Sequence, residues 1–215
     1  MLVDSKGEFI LLKSTHFWPQ PLLGLDIQSD EIRLLQLQRA KKKCVIKKTV
    51  AMPLPVGSVV DGKIQEIEVV GDCLQKLVQD NRLQEHEVAI ALPASSVLIQ
   101  RISVARGLDE AEIEAEVISH LHHALPGVTE GLCYDYVMPN QQEDIQNDVL
   151  VVATAFLHLN TPLTVVQNAG LKVRVVDVDQ YALDRANQIV EQQRLSIEKK
   201  WLISLGLALR SSCLW

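Results

Sequence analysis

Three apolar runs separated by two short polar turns place the first constraint on this chain. Leu22 to Ile27 ends at Gln28-Ser29-Asp30. Ile32 to Leu37 leads into Lys41-Lys42-Lys43, and Val45 to Met52 is broken by Pro53 and Pro55. Short apolar runs bounded by turn residues read as strands, so the patterned part of the chain opens on a three-stranded meander. Lysines 41–43, 47 and 48 could meet anionic lipid. A solvated hairpin and a lysine-guarded sheet edge account for them more simply.

After the meander the period changes. Gly57 to Gly62 reads as a loop. Ile67, Val70, Leu74, Leu77 and Val78 recur at helical spacing, so 65–81 is an amphipathic helix. Glu87 to Leu92 is a short buried strand ending at Pro93. Ser95 to Val104 alternates as a strand. Asp109 with Glu112 three residues on has the pattern of a capping box, and Ile113, Val117, Leu121 and Leu125 form one helical stripe up to Pro126-Gly127. Leu132 to Val137 is a strand and 140–147 a polar loop. Asp148 to Phe156 is apolar on both faces and therefore reads as a central strand. Asn160 to Ala169 is a helix stopped by Gly170. Lys172 to Val178 is a strand, Tyr181 to Leu195 a helix, and Trp201 to Arg210 a last helical piece. Residues 1–21 carry little pattern and read as a leader. Strands alternating with helices after a meander make an α/β protein.

Composition narrows the function classes. Hydrophobic residues make up 47% and aromatics only 4%, so aliphatic side chains must build the core. The formal net charge of −6 argues against a nucleic-acid partner, which selects for a basic domain. Cys44, Cys73, Cys133 and Cys213 form no CxxC pair, which argues against zinc and against a disulfide framework. No run is long and apolar enough for a signal segment or a membrane span, so a soluble cytoplasmic protein is expected. His120, His122 and His123, with Glu116 one turn earlier, could share a helix face as metal ligands. With no matching ligand motif elsewhere, solvated histidines are the simpler reading and no metal is expected. Ser95-Ser96 lacks a nucleophile elbow and reads as a turn. Asp177 and Asp179 end a strand and read as caps for the following helix.

Several segments, in order, resemble the PilM-type type IV pilus assembly proteins of the actin-like, FtsA-related superfamily. They are LLGLDIQSDEIRLLQLQ (22–38), LPVGSVVDGKI (54–64), VAIALPASSVLIQRISVARGLDEAEIEAEVISHLHHALP (88–126), AGLKVRVVDVDQYALDRA (169–186) and LGLALR (205–210). The resemblance implies an actin-like (ribonuclease H-like) subdomain 1A from 22–94 and 169–215, with an inserted α/β subdomain 1C at 95–168. It also implies a nucleotide site with Asp26 and Ser29 near phosphate and Gly206 near adenosine, so ATP with magnesium enters by resemblance only.

Two departures weigh against that nucleotide. Gln28 stands where the family's first phosphate loop has glycine, and Asp30 stands where it has a hydroxyl residue. Phosphate needs close backbone N–H approach, and an added carboxylate opposes it. The family also carries a second lobe before the last helix, and 187–204 is too short to hold it. The expectation is a chain lacking that lobe, with a degenerate ATPase site. The resemblance further implies a scaffold at the cytoplasmic face of the inner membrane. There it would bind the cytoplasmic tail of a PilN-like membrane protein, beside other pilus assembly proteins or a second copy. The groove for that tail is expected from the 95–104 strand, the 109–124 helix and the 148–156 strand, with Leu98, Gln100, Ile102, Ile118, Leu121 and Leu125 as its lining. The alternatives are an active actin-like ATPase and an α/β subunit that pairs with another actin-like protein.

Overall fold

The computed structural model describes residues 2–3, 9–10, 21–40, 43–84, 86–126, 128, 131–137 and 147–211. The meander is there as β3 (Leu23–Ile27), β4 (Glu31–Ala40) and β5 (Lys43–Pro53), paired antiparallel. β8 (Glu87–Leu92) then lies parallel to β3, and β12 (Lys172–Val178) parallel to β8. Two short strands, β1 (Leu2–Val3) and β2 (Phe9–Ile10), add to the free edge of β12. They fall in the stretch expected to be a leader, because two-residue strands carry no readable period. The sheet order is β2-β1-β12-β8-β3-β4-β5.

Helices cover both faces of this sheet. α1 (Ile67–Asp80) and α3 (Phe156–Asn168) bury Val70, Leu74, Leu77, Leu159, Leu163 and Val166 against Leu23, Leu25, Ile90 and Val176 on one face. α4 (Asp179–Gln193) and α5 (Leu202–Ala208) cover the other, where Leu35, Ala89 and Val175 point. α5 sits very close to both neighbours. A Cβ on Gly24 would overlap the carbonyl oxygen of Ser204, and a Cβ on Gly206 would overlap that of Ala182. Only glycine permits backbones this near. Between Asn187 and Ser204 the chain finishes α4, turns at left-handed Arg194 and enters a 3-10 turn, Lys199–Trp201, before α5.

A second, smaller sheet stands apart, in the order β10-β11-β9. β11 (Asn147–Ala155) is its central strand, as expected of a run apolar on both faces, between β9 (Leu98–Val104) and β10 (Leu132–Val137). α2 (Glu110–Ala124) packs on one side of it and begins with the expected capping box: the Asp109 carboxylate accepts from the Glu112 N–H, and the Glu112 carboxylate accepts from the Asp109 N–H, each at 2.9 Å. α3 begins at Phe156, four residues earlier than its periodicity suggested, and packs on the large sheet rather than the small one. The loop expected at 57–62 contains a small hairpin, β6 (Val59–Val60) with β7 (Lys63–Ile64), whose two-residue strands are too short to read. The polar loop at 140–147 lies outside the described residues except for Asn147, which opens β11. Among the described residues no helix is long and apolar enough to cross a membrane.

Candidate functional site

The residues expected near phosphate sit at the β3–β4 turn, on the α5 face of the large sheet. Register pairs Asp26 directly with Arg33 across the two strands. Asp26 is buried, and its carboxylate is already engaged. Gln28 Nε2 donates to one oxygen at 2.7 Å, and Arg33 Nη1 reaches the other at 3.5 Å. The same guanidinium donates Nη2 to both Asp30 oxygens at 2.9 and 2.7 Å, and Nε to Glu31 at 2.8 Å. Lys200, just before α5, contacts Glu31 at 3.4 Å. Burial pushes Asp26 up to about 6, against the pull of the Gln28 hydrogen bond and the Arg33 charge.

Thus the two residues that stand where a phosphate loop would have glycine and a hydroxyl are both engaged within the chain: Gln28 donates to Asp26, and exposed Asp30 pairs with Arg33. Sequence reasoning missed Arg33. Its signal was the register itself, since a turn over Gln28–Asp30 places it opposite Asp26. Ser29 is exposed at the turn. Gly206, expected beside adenosine, is buried between α4 and α5, and its carbonyl accepts from Arg185 Nη1 at 2.8 Å. It serves helix contact there, a use of glycine that a resemblance at one helix cannot distinguish from a ligand contact.

At the end of β12 the two aspartates have different roles. Asp177 is buried and holds Arg185 at 2.9 Å and Arg210 at 3.7 Å, so it ties α4 and the chain after α5 to the sheet. It does not cap the helix. Asp179 is the first residue of α4 rather than its cap, and its carboxylate accepts from the Gln180 N–H at 2.6 Å. It also accepts from the Ala94 N–H at 3.0 Å, a partner 85 positions away that no local pattern could reveal.

The six residues expected to line a groove divide between core and half-buried positions. Ile102 and Leu121 are 8% and 1% exposed and meet in the core between α2 and the small sheet. Alternation and helical stripe mark inward-facing residues, and here inward means core. Leu98 and Leu125 pack at the margin of that core, and Ile118 is half-buried on α2. Gln100 is also half-buried, with its amide oxygen 2.8 Å from His120 Nε2. Of the other histidines on this helix, His123 Nδ1 is 2.7 Å from the Ser119 carbonyl oxygen. Among the described residues no three His, Cys, Asp or Glu side chains gather as a metal site.

An open cleft lies on the α1/α3 face of the large sheet, away from Asp26. Its volume is about 210 Å³. The ends of β3 and β8 form its floor through Leu25, Ile27, Ile90 and Leu92. The β6–β7 hairpin gives one wall, with Lys63, Ile64 and Gln65. The first turns of α3 give the other, with Leu157, His158 and Thr161. Leu157 is 72% exposed at its rim. Pro93 and Ser96 close one end, where the chain leaves the large sheet for the small one.

The family model for the type IV pilus assembly protein PilM matches residues 24–205. The chain belongs to this PilM family. The match spans the β3–β4 turn, both sheets, the cleft and the start of α5. A solved PilM–PilN type IV pilus biogenesis complex aligns with a TM-score of 0.67 at 22% identity, covering 79% of this chain and 50% of that one. The cytoplasmic domain of EpsL, an inner-membrane component of the type II secretion system of Vibrio cholerae, aligns with a TM-score of 0.52 at 14% identity, covering 75% and 58%. A Bacteroides thetaiotaomicron protein of actin-like ATPase fold aligns at 0.39 and 10% identity, covering 88% and 62%. This PilM family chain therefore shares the fold of the solved PilM and spans about half the length of that chain.

Proposed function

We propose that this chain is a scaffold of type IV pilus biogenesis that binds the cytoplasmic tail of a PilN-like inner-membrane protein in the cleft on the α1/α3 face. The observation that carries the reading is the cleft itself. An apolar floor with polar groups at its walls suits an extended peptide, which needs pockets for side chains and partners for its backbone. Both segments that connect the two sheets, 93–96 and 156–162, border it. Family membership supplies the partner, since a solved PilM is a complex with PilN. Binding such a tail would hold the chain at the inner face of the membrane without a span of its own.

The same reading has no ATP turnover. Asp26 is engaged within the chain by Arg33 and Gln28, and the neighbouring Asp30 and Glu31 carboxylates add negative charge that opposes a polyphosphate. Calorimetry on the purified chain tests both halves. Saturable heat with the cytoplasmic tail of the same organism's PilN-type protein, and none with Mg-ATP, is the expected result. Saturable Mg-ATP binding with no response to the tail would replace this reading with the nucleotide-driven one.

A further inference from the structure

The 3-10 turn Ala94–Ser96 is held in place more firmly than a connector requires. The Asp179 carboxylate, on the first turn of α4, accepts from the Ala94 N–H at 3.0 Å. Buried Thr154 of β11 donates its hydroxyl to the Ser96 carbonyl at 2.7 Å, and His158 Nδ1 of α3 lies 3.3 Å from the same oxygen. The Ser96 N–H donates to the Pro93 carbonyl at 2.8 Å. Two helices of the large sheet and one strand of the small sheet thus converge on one turn.

One polar group of that turn is left over. Ser96 is 8% exposed and lines the cleft, and its hydroxyl has no hydrogen-bond partner among the described residues. A buried hydroxyl without a partner destabilises the free protein, and buried polar groups are nearly always paired. The hydroxyl is closed to solvent in the free protein, so it meets a ligand in the cleft only when the side chain turns about its Cα–Cβ bond, and that turn gives it the partner it lacks.

We propose that the Ser96 hydroxyl hydrogen-bonds the backbone of an extended peptide lying in the cleft, and that Asp179 is the positioning residue that holds the Ser96 turn for it. This rests on the peptide-binding reading above. Ser96 touches the ligand. Asp179 acts at a distance, through the Ala94 N–H. Its carboxylate also accepts from the first turn of α4, so its own position is set by that helix.

The test is fluorescence anisotropy of the full chain with the fluorescein-labelled cytoplasmic tail of the same organism's PilN-type protein, paired with thermal melting of each variant. Ser96→Ala removes the unpaired hydroxyl, so it is expected to melt higher than wild type while binding the tail about ten-fold more weakly. A purely structural serine would not move the two readouts in opposite directions. Asp179→Ala is expected to weaken binding several-fold with little change in melting, and Asp179→Asn, which keeps an acceptor oxygen, to restore most of it. Wild-type affinity in Ser96→Ala overturns the Ser96 contact. Equal weakening by Asp179→Ala and Asp179→Asn overturns the positioning role. Failure of the wild-type chain to bind the tail would instead remove the peptide reading itself, along with this inference.

Discussion

At the scale of single residues, the β3–β4 turn of this PilM family chain binds its own carboxylates. Asp26 remains in the strand, but Gln28 and Arg33 occupy its carboxylate. Burial outweighs both and leaves Asp26 with a pKa near 6, raised from 3.8. A carboxylate raised on folding favours the folded state most when protonated. Its contribution is complete below about pH 4 and is lost as pH rises through about 6. Asp26→Asn should therefore remove this loss. The stability of wild type relative to Asp26→Asn should fall by up to about 3 kcal/mol between pH 4 and pH 7. Urea unfolding of both proteins at pH 4.5 and 7.5 checks it, and parallel pH dependence in the two would refute it. The unfavourable substitutions Gln28 and Asp30 were legible in the sequence. The Arg33 guanidinium that joins Asp26 to Asp30 was not, because pairing across a turn depends on register and a single strand reveals only its own alternation.

At the scale of elements, most of the fold was legible and the exceptions have physical causes. β11 read as central because it is apolar on both faces, and α2 read to the residue at its start because a capping box is a local signal. β6 and β7 were lost because two residues carry no period. α3 was started late because Phe156-Leu157-His158 leaves two large side chains in water, which blurs the helical stripe. Of the six residues expected to line a groove, Ile102 and Leu121 are core, because an inward pattern marks core and cleft alike. Gly206 shows the same ambiguity, and its packing gives a prediction at this scale. Gly206→Ala and Gly24→Ala each push a Cβ into a carbonyl oxygen of the neighbouring backbone, so each should cost about 2–3 kcal/mol or more. Gly71, inside α1, has nothing within 4 Å of its would-be Cβ, and Gly71→Ala should stabilise by about 0.5–1 kcal/mol. Thermal melts of the three variants check the ordering. A harmless Gly206→Ala would mean that α5 does not sit against α4 as closely as described.

At the scale of the whole molecule, two faces of one sheet divide the roles. The α5 face holds the β3–β4 turn, where Arg33 pairs with Asp30 and Lys200 ties Glu31 to the start of α5. The α1/α3 face holds the cleft, bordered by both connections to the small sheet. Family membership follows from residues spread over both faces, and only the fold could separate them. The account predicts that a bound PilN-like tail is felt on the second face alone. Hydrogen exchange of the full chain, with and without the cytoplasmic tail of the same organism's PilN-type protein, measures this most directly. The tail should slow exchange in 62–65, 93–96 and 157–162 while leaving α2 and the β3–β4 turn unchanged. Slowing confined to 98–125, or to 26–33, would contradict the account.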